Sequence, residues 1–440
     1  MLKKIIDALN AHRDISAWTV RHITSHGAQV YAVPGQIESQ RTVGSERYKI
    51  DVLCNTKVID GSPAVGSGDV TLLPSDDIDS AIDQAALVAS LVANPVHSIP
   101  GPADFPDVPL ADDELKNDAD SATKKLMDDI RSTASKNKDV RLTAAECFGD
   151  VHTIHLVNSR GIDAEQESTN TSIELVLQTK RGDVETEFFA EKERRRISDI
   201  DPKTEIEHQS KFTLDLLEAK APRSRLGAVV LRNDVLASFM AGTPLAGSVL
   251  QFSSAASSKH AKITTWDIGE PVFKDEVKGD PLTVWANRLI PYGTTSNLFD
   301  SEGLPAQRVE LIKENKLVTF HANQRYAEYL GIPPTGAFGG VELPAGKTEA
   351  SALIEEPYVE IVQFSWFNPD PVTGDFATEI RLGYLVENGV RTPFKGGQLI
   401  GNYMQALADV RWSAEMGFFG HYLGPHTARF NNLKVSGEDS

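Results

Sequence analysis

The sequence predicts an α+β protein, with an N-terminal α/β module followed by a β-rich C-terminal domain. Two observations carry that prediction. Through the first half, apolar residues switch between the 3.6-residue period of a helix and the two-residue period of a strand. From Ile263 onward the chain turns rich in Gly, Pro and short β-like runs, such as Leu317–Phe320, Val359–Phe364 and Ile380–Val386. There is no fixed-period repeat, which excludes a solenoid or propeller. The boundaries fall at 1–110, 111–221 and 222–440. A chain of 440 residues suits two or three domains at roughly 100–200 residues each.

The elements follow in order. Leu2, Ile5, Ile6 and Leu9 share one face of an opening amphipathic helix. Short strands are expected at Val30–Val33, Ile37–Val43 and Tyr48–Leu53, separated by Pro34-Gly35 and Gly44, and then at Val70–Leu73. Ser75 is placed to cap a helix whose apolar face is Ile78, Ile82, Ala85, Ala89 and Val92. Asp76 and Asp77 suit its positive end, and Pro95 stops it. Pro100–Pro109 holds four prolines and one glycine, a composition that gives a stiff connector, either linker or surface strap. A polar helix follows over Asp112–Lys136. Val151–Val157 reads as a strand and Asn158–Gly161 as a turn. Ser172–Gln178 and Glu185–Phe189 form a hairpin around Arg181-Gly182-Asp183. A helix over Thr204–Ala219 closes this section. Leu226–Leu231 is a buried-type strand run. Two helices come next, the second opening on Thr243 and Pro244. Leu399–Trp412 reads as helical.

Composition narrows the function. Hydrophobic residues make up 40% and charged residues 24%, so a core is easily built. The net charge is -18, and an acidic surface repels phosphate backbones, so no nucleic-acid partner is expected. The two cysteines, Cys54 and Cys147, exclude a disulfide scaffold and a four-cysteine zinc module. Met1–Asn10 is too short and too polar for a signal h-region or a span, so no membrane role is expected and the location expected is cytoplasmic.

The motifs that could carry chemistry are few. H-E-x-x-H, H-E-x-x-x-H, C-x-x-C and G-x-S-x-G are all absent. His22 and His26 would align only on a helix, and no carboxylate or thiol accompanies them. His152 and His155 lie three apart in an expected strand and point to opposite faces. His421 and His426 flank Gly424-Pro425, where a loop can converge two imidazoles on a metal; the alternative is a turn near the last strand. Gly346-Lys347-Thr348 resembles the end of a phosphate loop, but Gly340 is misplaced and Pro344 interrupts. A helix start capped by Thr348 is the better reading. The run Lys192–Arg196 lies among acids and is expected to be a solvated, salt-bridged face, with an acidic partner surface as the alternative. Asp300 and Glu302 stand in Asn297–Pro305. They suit acid/base machinery, a cation site or turn chemistry, and the Ser, Asp, Gly and Pro around them favour turn chemistry.

That loop and its followers resemble a known family. Asp300-Ser301-Glu302-Gly303-Leu304-Pro305-Ala306-Gln307-Arg308, Pro334-Thr335-Gly336, Thr373-Gly374-Asp375-Phe376, Glu387-Asn388-Gly389 and Gly397–Asn402 are similar to the C-terminal signature of the TldD/PmbA family, the modulator-of-gyrase proteins. Gly35–Ser39 and Asn158–Gly161 also fit, so the resemblance spans nearly the whole chain. It implies one of two kinds of subunit. TldD-like subunits carry an HExxxH helix that holds zinc together with a C-terminal cysteine, and the glutamate activates water for peptide hydrolysis. TldE-like subunits lack that site and pair with TldD. In this sequence the helix expected to carry HExxxH reads Val235–Gly242, with neither His nor Glu, and Met416–His421 holds no Cys.

The resemblance therefore implies a non-catalytic, TldE-like subunit of a zinc metalloprotease acting on unfolded or extended peptides. No cofactor is expected in this chain; zinc is expected in a TldD-like partner. The partner is that HExxxH subunit in a heterodimer, or a second copy when the chain is isolated. No catalytic residue is expected here. Asp300, Glu302, Arg308, Thr335 and Asp375 would line a peptide groove or build family loops. The alternatives are a metallopeptidase with an atypical site at His421, His426 and a nearby acid, or an adaptor without a proteolytic role.

Overall fold

The computed structural model describes residues 1–59, 61–242 and 247–438. The N-terminal half is one large antiparallel sheet with helices on one face. Helix α1 (Leu2–Ala11) buries Ile5 and Leu9, as its apolar spacing requires. It leads into β1 (Ile15–Val33), which turns at Pro34-Gly35 into β2 (Gln36–Ile59) and then β3 (Ser62–Leu72). Helix α2 (Ile78–Leu91) and the two-residue β4 (Asn94–Pro95) follow. Next come α3 (Asp113–Ala134), β5 (Arg141–Asn158), β6 (Asp163–Arg181), β7 (Val184–Arg194) and α4 (Pro202–Asp215). The seven strands run in the order β4-β3-β2-β1-β5-β6-β7. They come from both sides of the boundary expected at residue 110.

The short strands expected before residue 54 are segments of two long ones. Gly44 does not break β2; it pairs opposite His26 inside the ladder. Pairing with β1, from Gln36 to Cys54, holds a polar stretch extended that propensity alone would end. Asp77, not Ser75, caps α2 by accepting from the Ser80 amide. Asp112 caps α3 and Asp201 caps α4 in the same way.

The C-terminal half begins with β8 (Arg225–Arg232) and α5 (Asn233–Ala241). The helix start read at Thr243 and Pro244 lies outside the described residues. Two short helices follow, α6 (Val249–Ser253) and α7 (Ala256–His260). Strands β9 (Val284–Asn287), β10 (Arg308–Lys313) and β11 (Lys316–Leu317) precede α8 (Gln324–Leu330), β12 (Gly340–Glu342) and α9 (Ala350–Leu353). The chain ends with β13 (Tyr358–Phe364), β14 (Asp375–Glu387), β15 (Val390–Phe394), β16 (Gln398–Asn402), α10 (Tyr403–Ala408), β17 (Val410–Trp412), β18 (Met416–Phe419), β19 (Tyr422–Pro425) and β20 (Thr427–Ser436). Leu399–Trp412 is thus strand, one short helix and strand, because its first and last residues pair with neighbours.

One sheet has the order β11-β10-β9-β12-β19-β18. The other runs β13-β8-β20-β16-β14, and β13 also pairs with β14, which closes a small barrel. The barrel shares a core with the N-terminal sheet and α4: Val230, Tyr358, Leu382 and Tyr384 pack with Val30, Cys147 and Leu175 of the sheet and Ile206 of α4. Pro100–Pro109 is a strap. Its Pro100 carbonyl accepts from Asn158 Nδ2, its Pro109 carbonyl accepts from the Tyr292 amide, and Phe105 packs on Phe299.

Candidate functional site

The residues singled out in the sequence sort into three places. Asp300 (6% exposed) sits at the centre of the first. Its Oδ1 accepts from the amides of Glu302, Gly303 and Leu304, at 3.0, 3.1 and 3.0 Å, and its Oδ2 accepts from the Ala337 amide at 3.0 Å. Four backbone donors leave this carboxylate little to offer a substrate, so it is the organiser of its turn. Beside it, Arg288 is 1% exposed and donates to Asn297 Oδ1 and to the carbonyls of Pro305 and Thr335. Burial lowers the basicity of Arg288, and Asp300 opposes that loss. Gly336 follows at φ +79, and a Cβ there would lie 2.3 Å from Arg288 Nη2, so only glycine fits. Thr335 Oγ1 accepts from the Ala322 amide at 2.8 Å, which ties the Pro334-Thr335-Gly336 turn to the chain before α8.

Glu302 completes this first group. Its oxygens accept from Asn323 Nδ2 and the Gln324 amide, both at 3.0 Å, at the start of α8. Burial, with the nearby carboxylates of Asp300 and Asp51, pushes its pKa up to about 7 against the pull of those hydrogen bonds. Asp51 belongs to β2, so Glu302 lies where the two halves meet.

Arg308 stands on β10. It grips Glu342 of β12 with two hydrogen bonds of 2.8 Å while lying 4.1 Å from the Trp285 ring centroid. This is a bidentate pair across a sheet. Asp375 opens β14 and accepts from Asn402 Nδ2 at 2.8 Å. Three of the five residues thus build a single knot, and two brace separate sheets. Glu342 also accepts from Asn287, the neighbour of Arg288, so the Arg308 pair adjoins the knot.

The second place is α5 with the β18–β19 hairpin. Leu236, Ala237, Phe239 and Met240 are buried. The Phe239 ring lies 4.9–5.9 Å from those of Phe367, Phe376, Tyr403 and Phe430. Tyr403 donates its hydroxyl to the Met240 carbonyl at 3.1 Å. His421 Nε2 lies 2.9 Å from the Gly242 carbonyl, which can only accept, so that nitrogen carries a proton. His426 Nδ1 is 2.8 Å from Thr427 Oγ1. Among the described residues no group of three or more His, Cys, Asp or Glu side chains is placed to hold a metal. An aromatic cluster and a carbonyl-bonded imidazole do not fit zinc.

The third place is Lys192–Arg196, which is salt-bridged as expected but not a solvated face. Arg195 is 8% exposed and donates to the carbonyls of Thr169, Gly293, Thr294 and Ser296. Burial pulls its pKa down to about 10. Lys192 pairs with Glu205, and Arg194 with Asp234 at the start of α5. β7 ends at Arg194 and Arg195 lies in the bend beyond it, so strand alternation offered no signal for its burial. Nothing local marked Arg288. Thr348 is not a cap either: the backbone amide of Ala350 donates instead to Glu415 Oε2, and α9 begins one residue after Glu349.

The other histidines are held locally. His22 stacks on Tyr48, with 4.4 Å between centroids, and bonds Glu46 at 2.9 Å. His155 bonds Asp163 at 2.6 Å across β5 and β6.

Comparison with known proteins assigns the C-terminal half, with its closed barrel, to a metallopeptidase-related class. Residues 226–437 match the family model described as the PmbA/TldA metallopeptidase C-terminal domain. The C-terminal half of the chain is therefore a domain of the TldD/PmbA type. Solved structures share the fold along its whole length. A candidate modulator of a DNA gyrase from Thermotoga maritima has a TM-score of 0.80 and 17% identity, over 99% of this chain and 100% of that one. TldE from Thermococcus kodakarensis has a TM-score of 0.80 and 18% identity, with the same coverage. An uncharacterised protein of Methanocaldococcus jannaschii is 25% identical over 303 residues, which is 65% of this chain and 68% of the relative. Among the described residues no helix is long and apolar enough to cross a membrane.

Proposed function

We propose that this chain is the non-catalytic, TldE-like subunit of a cytoplasmic TldD/TldE-type zinc metalloprotease that acts on unfolded or extended peptides. The observation that carries the reading is α5. Where a TldD-like subunit would present two histidines and a glutamate, this helix turns Leu236, Phe239 and Met240 into a ring-lined core. No group there can deprotonate water near neutral pH. The chain's part is to pair with an HExxxH-bearing relative and to complete the enclosure around its peptide. The fold shared with TldE from Thermococcus kodakarensis supports the same reading.

The test is reconstitution. Chain alone should leave a denatured polypeptide intact, and addition of the HExxxH relative from the same cell should give chelator-sensitive cleavage. Cleavage by the chain alone, with stoichiometric zinc by elemental analysis that is lost in His421→Ala, would overturn the proposal in favour of an atypical metal site. Failure of the two chains to co-purify would favour an adaptor.

A further inference from the structure

The N-terminal sheet has an edge that its own chain covers only in part. β4 pairs with β3 at Ala64 and Val65 and nowhere else. From Gly66 to Leu72, among the described residues, nothing pairs with the outer side of β3. Alternate residues of this stretch point an N–H and a C=O away from the sheet. Exposed edges are usually blunted by a covering element or by charge. Here Asp69 is the one charge. It is exposed, it lies opposite Asp51 in the ladder, and among the described residues it forms no ion pair.

Above this edge lies α2. It packs so closely on β3 that a Cβ on Gly68 would meet the Ala85 carbonyl at 2.2 Å. Its inner side is fixed by α1, because Asp83 pairs with His12 at 3.3 Å. At about 100° per residue, Val88 lies roughly 140° around the helix from Asp83, and Val92 follows the last turn as its extended C-cap, two residues before β4. Val88 is therefore turned to the side of the free edge, 42% exposed, and Val92, 38% exposed, stands at the end of that edge where β4 covers it. Leu87 and Leu91, at 61% and 80% exposed, continue the apolar surface over the top. Residues 84–96 contain no charged side chain.

We propose that β3 accepts an added strand from a partner protein: an extended segment whose apolar residues lie beneath Val88 and Val92 and whose alternate residues are basic and face Asp69. The inference is independent of the metalloprotease reading. Edge hydrogen bonds supply affinity for any extended backbone. The two faces supply the choice, one apolar and one acidic. A second copy of this chain suits the edge poorly. Antiparallel self-pairing centred on residues 66–72 sets Asp69 against Asp69, between molecules that each carry -18.

The test uses the full chain and a fluorescent, end-blocked ten-residue peptide of alternating valine and lysine, followed by anisotropy. Saturable binding is expected, with new hydrogen-exchange protection over residues 66–72. N-methylation of alternate peptide residues should abolish it. Asp69→Lys should weaken it about fivefold and favour a valine–glutamate peptide instead. The double variant Val88→Glu with Val92→Glu should weaken it more than about tenfold. Both positions are half-exposed, and an unchanged circular dichroism spectrum verifies folding. Binding that ignores both variants would be adsorption to an acidic surface and would overturn the proposal. So would absence of binding, or self-association of the chain that the double variant dissolves.

Discussion

Two buried arginines carry much of the order around the signature loop. Arg195 satisfies four backbone carbonyls, so Arg195→Met should cost at least about 2 kcal/mol, read as a fall in the urea midpoint. Two titrating side chains should give the chain opposing pH dependences. Glu302 has its pKa raised to about 7. The folded state then holds a proton that the unfolded state has released above its ordinary value of 4.5. Its contribution is complete at acid pH and is lost as pH rises toward 7. His321 is the reverse: burial lowers its pKa to about 4. Its contribution is complete above 6.5 and is lost as pH falls toward 4. Urea midpoints measured from pH 4 to 8 should separate them. Glu302→Gln should remove the loss of stability on raising pH, and His321→Gln the loss on lowering it. The turn chemistry of Asp300 was legible in its neighbours, since Ser, Gly and Pro beside an Asp predict an amide-bonded carboxylate. Arg288 was not, because nothing near it in sequence tells a buried guanidinium from an exposed one.

At the scale of elements, helices were easier to read than strands. The helices capped by Asp77, Asp112 and Asp201 begin within two residues of the starts expected, since capping is local chemistry. Strand lengths were missed because β1 and β2 are held by partners far away in sequence, His22 by Tyr48 and by His155. Asp112 does two jobs, accepting from the Glu114 amide at the start of α3 and from the Ile197 amide at 2.8 Å. Asp112→Ala should cost about 1–2 kcal/mol, seen as a lowered thermal midpoint. In α5 the decisive side chain is Phe239. Phe239→Ala leaves a cavity among four rings and should cost about 3–5 kcal/mol by denaturant titration. A variant that writes histidines and a glutamate into α5 should lose stability before it gains zinc, because the positions it needs face that core.

Over the whole molecule, the core shared by barrel and sheet predicts one cooperative transition. Far-ultraviolet circular dichroism and tryptophan fluorescence should report coincident midpoints, although three segments were read in the sequence. Trp18 lies in the N-terminal sheet and Trp412 against the barrel, so the two signals sample both halves. The α+β class and the β-rich second half were legible from period and composition. The closing of the barrel was not, since it joins strands that local pattern cannot relate. That closure has a consequence for biosynthesis. β8, the first strand of the barrel, lies beside β20, the last one. While a ribosome is still making the chain, β8 waits with one flank bare until about two hundred further residues have emerged. The finished N-terminal sheet, or a chaperone, must shelter it meanwhile.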